Sequence, residues 1–191
     1  CMLFVLDFFD RDLFVLINQR WASPSLDPMM IFLSSKWAFM PLYAVFVWLF
    51  WRKFGVKCWL PILFTVASFG LADSISSRIF KPGFARVRPA WEKSLTPRLP
   101  NGEPGSRYGF VSSHSANAFA VFATAMALLG LGRRWRLALM YLAAAIAYSR
   151  VYLGVHYVGD VFFGALLGLG ISWCLVRVFR TQVELRGMMN K

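Results

Sequence analysis

From Met29 to about Phe179 the chain consists of long apolar blocks separated by short polar breaks, and this constrains its fold more than any other feature. The blocks are nearly continuous Leu, Phe, Val, Ala and Ile rather than amphipathic stripes, so a helix built from one is apolar all round. Hydrophobic residues make up 58% of the 191 positions and aromatics 17%, more than a soluble core of one domain can bury. A bilayer is the solvent that suits such segments, each of which has roughly the 17–25 residues needed to cross it. The blocks fall at 29–51, 58–80, 112–131, 136–153 and 160–179, which predicts an all-α integral membrane protein with about five transmembrane helices.

Residues 3–21 differ, because Asp7, Asp10, Arg11, Asp12 and Arg20 interrupt the apolar run. A charge at the bilayer centre costs about 2.5–3.5 kcal/mol on insertion scales, so this segment reads as an amphipathic helix in the interface. The expected organisation is one domain over 1–191. It comprises an interfacial helix and linker (1–28), a transmembrane core (29–180) and a cytoplasmic tail (181–191). The single long polar connection, 82–111, carries Pro89, Pro97, Pro100 and Pro104, and a loop of that length in a compact domain is commonly functional.

Net charge is +12, but the cations flank the apolar blocks or gather in three clusters. That distribution suits anionic headgroups and a phosphate substrate, and argues against nucleic acid. Cys1, Cys58 and Cys174 have neither disulfide nor metal-site spacing. Five crossings place the three clusters at one end. Arg52, Lys53, Lys57, Arg133, Arg134, Arg136, Arg177, Arg180, Arg186 and Lys191 fall at the other, which the positive-inside rule assigns to the cytoplasm. The clusters therefore face the periplasmic or extracellular side, with a bacterial inner membrane as the expected location.

The clusters hold the polar residues that an apolar chain keeps only for a reason. His156 and Asp160 are four apart, a spacing that lets a carboxylate accept an imidazole N–H and leaves the other nitrogen a better base or nucleophile. Arg150, six residues earlier, offers a bidentate fork to phosphate. Ser112 reads as the N-cap of a helix whose free N–H groups suit an anion, with Ser113 beside it. His114, in the first turn, is placed to protonate a leaving oxygen. Lys81 and Arg88 bracket a loop at the exit of the second block, where the plain reading is headgroup anchoring. Asp73, within that block, reads as a structural acid hydrogen-bonded to nearby serines or Arg78.

Lys81-x6-Arg88-Pro89, Ser112-Ser113-His114 and Ser149-Arg150-x5-His156-x3-Asp160 together resemble the three signature motifs of the type 2 phosphatidic acid phosphatase (PAP2) superfamily. The second motif usually reads Pro-Ser-Gly-His, where this chain has Val111-Ser112-Ser113-His114. The resemblance implies a PAP2-like helical bundle and a phosphatase with no metal and no cofactor. It implies that His156 attacks phosphorus and forms a phosphohistidine, that Asp160 orients it, and that His114 protonates the leaving group. Lys81, Arg88, Ser112, the backbone at Ser113 and Arg150 would hold the phosphate oxygens.

The expected activity is hydrolysis of a lipid phosphomonoester or diphosphate. Undecaprenyl diphosphate comes first, with phosphatidylglycerol phosphate, phosphatidic acid and lipid A 1-phosphate as alternatives. Two further readings use the same pocket. A lipid phosphotransferase would need an acceptor other than water, and a phospholipid carrier or scramblase would need the cations but neither histidine.

Overall fold

A computed structural model describes residues 2–185, with side chains described for 9–182. Among these residues the regular structure is helical, apart from one antiparallel bridge between Val87 and Tyr108. Helix α1 (Met2–Val15) runs on through a widened turn, Leu16–Arg20, and is followed by α2 (Asp27–Ser34) and α3 (Met40–Phe54). Helix α4 (Trp59–Ser74) continues through a second widened turn, Ile75–Phe80, into the short α5 (Lys81–Phe84). After the long loop come α6 (Ser113–Leu129), α7 (Arg133–Tyr152) and α8 (Val158–Leu185).

Helix α6 is the axis of the bundle, with Ala116, Ala120, Phe122 and Ala125 fully buried. Its alanines allow α8 to approach closely, and α8 meets them with glycines. A β-carbon on Gly164 would stand 2.6 Å from the Ser112 carbonyl, and one on Gly168 would collide with the Ala116 carbonyl. Gly170, which belongs to the same small-residue series, has open space instead. This is the small-xxx-small packing by which membrane helices associate where no hydrophobic effect drives them together.

Among the described residues two helical stretches are long and apolar enough to cross a membrane, Met40–Phe84 and Val158–Gln182. Gly55, at φ +54°, breaks the first into α3 and α4. Large apolar side chains stay exposed along these helices, among them Trp48, Val66, Leu63, Phe162, Leu166 and Trp173, as a lipid-facing surface requires.

The expected single block 29–51 is two helices. The chain is extended at Ser35 (ψ 133°), and α3 restarts with Pro41 in its first turn. Ser34 and Ser35 favour local hydrogen bonds over helix continuation, and the Ser34 hydroxyl is bonded to Arg150. The expected tail at 181–191 begins later than its boundary, because 181–185 continue α8; residues 186–191 lie outside those described.

Helix α1 docks on one end of the bundle. Phe14 is fully buried and meets Tyr157 edge-on at 5.6 Å, while Asn18 donates to the carbonyls of Tyr152 (2.7 Å) and Arg98 (2.9 Å). At the opposite end the Lys53 ammonium caps α6 by donating to the carbonyls of Leu128 and Leu129. The α3–α4 and α6–α7 turns therefore share one end of the molecule.

Candidate active site

The turn between α7 and α8 is tight. The Val155 N–H donates to the Arg150 carbonyl, and Gly154 adopts φ +80°, a left-handed conformation open to glycine. The turn delivers His156, buried just ahead of α8, and Asp160 in the first turn of α8. The spacing predicted both residues on one helix. His156 stands outside the helix, yet its Nδ1 lies 3.2 Å from Asp160 Oδ2. With the Asp160 carboxylate accepting the Nδ1 proton, the lone pair is on Nε2.

The Asp160 carboxylate is fully engaged. Oδ2 also accepts the Tyr157 N–H at 3.1 Å, and Oδ1 accepts Arg86 Nη1 at 2.9 Å. Arg86 reaches with Nη2 to Asp10 Oδ2 at 2.8 Å, and its guanidinium lies 4.3 Å over the Tyr157 ring. Asp10 Oδ1 accepts the Gly159 N–H at 2.8 Å. The sequence places Asp10 among the charges of an interfacial helix and assigns neither Asp10 nor Arg86 to the site. The Lys81–Pro89 run contained a signal for Arg86, whereas nothing near Asp10 pointed to the site.

Helix α6 begins beside this turn. The Ser112 N–H donates to the Asp160 carbonyl (2.9 Å), and the Ser115 hydroxyl donates to the Val161 carbonyl (2.6 Å). Ser112 is the N-cap residue, as expected, but its hydroxyl makes no capping bond and is buried without a partner. Ser113 opens the helix, and its Oγ accepts from Lys81 Nζ at 2.9 Å and lies 2.8 Å from Ser76 Oγ. His114 is half-buried in the first turn, and its electrostatic neighbours include Arg150, His156 and Arg88.

The loop supplies Arg88. Its backbone pairs with Arg107 (3.0 Å) while Nε donates to the Tyr108 carbonyl and Nη2 to Ser106. Gly109 is wedged between this side chain and the turn that carries His156 and Asp160. A β-carbon there would sit 2.8 Å from Arg88 Cγ, 3.0 Å from Asp160 Oδ2 and 3.5 Å from His156 Nδ1. Burial and the surrounding Arg88, Arg150, Lys81 and Arg86 hold the His156 pKa well below its ordinary value.

Arg150 is bonded to Ser34 through Nη1, and its Nε is buried without a partner. Asp73 accepts from Asn117 Nδ2 at 3.1 Å. The expected partners differ, because Ser76 and Ser77 donate to the Asp73 backbone carbonyl rather than to its carboxylate.

The family described as PAP2 superfamily matches residues 59–184. The chain is 28% identical to a lipid A 4'-phosphatase of Porphyromonas gingivalis, over 89% of this chain and 72% of that protein. It is 30% identical to an undecaprenyl-diphosphatase of Sulfolobus acidocaldarius, over 96% of this chain and 82% of that one. A PAP2-type phosphatidylglycerolphosphate phosphatase from Bacillus subtilis shares the fold. There the TM-score is 0.73 at 22% identity, covering 94% of this chain and 88% of the other.

Proposed function

The chain belongs to the PAP2 superfamily and is a membrane lipid phosphatase, and from that premise we propose how its residues perform the hydrolysis. His156 Nε2 attacks phosphorus in line with the leaving lipid oxygen and forms a phosphohistidine. His114 donates a proton to that oxygen, then takes one from the water that releases inorganic phosphate. Asp160, on Nδ1, stabilises the positive charge that the imidazole acquires. Lys81, Arg88 and Arg150 balance charge on the equatorial oxygens, which is most of what phosphoryl transfer asks of a protein.

The observation that carries this reading is a pair of buried polar atoms without partners, Ser112 Oγ and Arg150 Nε, near the His156–Asp160 pair. Burying a polar group unpaired costs about 1–3 kcal/mol, and phosphate oxygens would satisfy both. The free N–H groups at the start of α6 add to the cradle. The site carries both histidines, whereas a carrier would need the cations alone.

The same reading places α3, α4, α6, α7 and α8 across the membrane and the site at its outer face. For the substrate, a lipid A phosphomonoester comes first, because that name attaches to the relatives from P. gingivalis and, at 31% identity, from Bacteroides thetaiotaomicron. Undecaprenyl diphosphate, the first expectation from sequence, is second and is supported by the S. acidocaldarius relative. Release of inorganic phosphate from the two lipids by purified protein, with EDTA present, tests both. His156→Ala abolishes turnover on whichever is cleaved, and full activity in that variant overturns the assignment.

A further inference from the structure

We infer that Asp10, acting through Arg86, is a positioning residue for the His156–Asp160 pair, which makes helix α1 part of the active site. The inference rests on the assignment of His156 as the nucleophile.

Three bonds hold the Asp160 carboxylate. Arg86 holds its Oδ1 at 2.9 Å, leaving Oδ2 to the His156 ring and the Tyr157 N–H. A guanidinium on a carboxylate draws negative charge away from the imidazole it serves. Asp10 counters this, because its Oδ2 takes the other arm of Arg86 at 2.8 Å. Asp10 Oδ1 also accepts the N–H of Gly159, the residue directly before Asp160, at 2.8 Å across 149 positions of sequence. One carboxylate thus grips both the cation on Asp160 and the peptide that carries Asp160.

The ring Asp10–Arg86–Asp160–Gly159 is largely withdrawn from solvent, with the side chains of Asp10 at 10%, Arg86 at 22% and Asp160 at 1% exposure. Arg86 is further fixed over the Tyr157 ring, and Tyr157 packs on Phe14 of α1. Helix α1 is therefore tied to the catalytic turn by a polar line and by an aromatic line. With Asp10 ionised, the Asp10–Arg86–Asp160 group carries one net negative charge. That charge favours the imidazolium that His156 becomes when the N–P bond forms. Loss of the Asp10 charge leaves the group neutral.

The groups facing His156 are Asp160 on one side, His114 from the start of α6, and Arg88, Arg150, Lys81 and Arg86 around it. Those facing Asp10 are Arg86, the Gly159 N–H and, across Arg86, Asp160. Removing a negative charge from this set makes His156 harder to protonate, and removing the Arg86 charge makes it easier.

The test uses full-length protein in detergent, with dioctanoyl phosphatidic acid as probe and phosphate release as readout. The wild type, Asp10→Asn, Asp10→Glu, Arg86→Gln and His156→Ala are compared by kcat, KM, pH profile and Tm. Asp10→Asn keeps an acceptor for Gly159. It is expected to lose on the order of tenfold in kcat with little change in KM, the scale for a partner one step from a reacting group. Its acid limb moves to lower pH, that of Arg86→Gln moves to higher pH, and Asp10→Glu recovers most of kcat. An Asp10→Asn profile superimposable on wild type, or a loss of activity explained by a lower Tm with an unmoved acid limb, overturns the inference. Turnover that survives His156→Ala instead overturns the assignment on which it rests.

Discussion

The backbone N–H of Ser112 donates to the backbone carbonyl of Asp160 at 2.9 Å, so the turn that opens α6 is bonded to the turn that opens α8. Ser115 adds a second stitch, its hydroxyl donating to the Val161 carbonyl at 2.6 Å. His114 and His156 belong to these two turns. Their relative position is thus set by the junction of two helix starts rather than by either helix alone.

Gly164 of α8 closes that junction, and Gly164→Val is expected to open it. Even the first carbon of the new side chain falls 2.6 Å from the Ser112 carbonyl, a backbone atom that cannot rotate away. Overpacking of this kind costs about 1–3 kcal/mol. The expected result is a lower Tm in detergent together with reduced phosphate release. Gly170→Val, which meets open space, serves as the control and leaves Tm near wild type.

Gly109→Ala acts on the chemistry more than on the fold. The new methyl would lie 3.0 Å from Asp160 Oδ2 and 2.8 Å from Arg88 Cγ, forcing the Asp160 carboxylate or the Arg88 stem aside. Misplacing a catalytic group by about 1 Å costs on the order of 100-fold in rate, so kcat falls on that scale. A loss of less than twofold contradicts the geometry.

The pH profile follows from the setting of His156. Burial first, then Arg88, Arg150, Lys81 and Arg86, lower its pKa well below 6.5. The neutral imidazole, the reactive form in the proposed mechanism, is therefore present at neutral pH and is lost only as pH falls through the depressed value. The acid limb of kcat/KM is expected below pH 6.5, a direction checked by initial rates at low substrate. A limb at or above that value contradicts this account of the pocket.

Ser113 replaces the usual glycine of the second motif, and the structure gives it a task. Its hydroxyl accepts from Lys81 and neighbours Ser76. Ser113→Gly removes this tether, a bond to a charged donor of the kind worth about 1.5–3 kcal/mol, but leaves the Lys81 charge, so a loss of about tenfold in activity is expected. Lys81→Ala removes a charge from the phosphate cradle and costs on the order of 100-fold or more. Equal losses in the two variants contradict this division.

The parts of the site legible in the sequence are those fixed by local spacing. His156 and Asp160 meet because they stand four positions apart, and Ser112 is the N-cap residue of α6 because it immediately precedes an apolar helix. The remaining contacts depend on tertiary placement. Asp10 reaches Gly159 across 149 positions and Arg86 reaches Asp160 across 74, so no spacing rule links them. Asp73 found Asn117 on α6 rather than a neighbouring serine for the same reason. The break at Ser35 escaped notice because an apolar block with one lysine near its end also reads as an unbroken span with a snorkelling cation.

The central claim is that His156 carries the phosphoryl group, and the most direct measurement is to trap it there. Protein mixed with a lipid phosphate substrate, quenched in alkali and digested is analysed by mass spectrometry, with His114→Ala included because losing the proton shuttle slows release. Phosphate is expected on His156 Nε2, stable to alkali, labile to acid and absent from His156→Ala. Turnover with no phosphate on His156, or with the label on another residue, would contradict it.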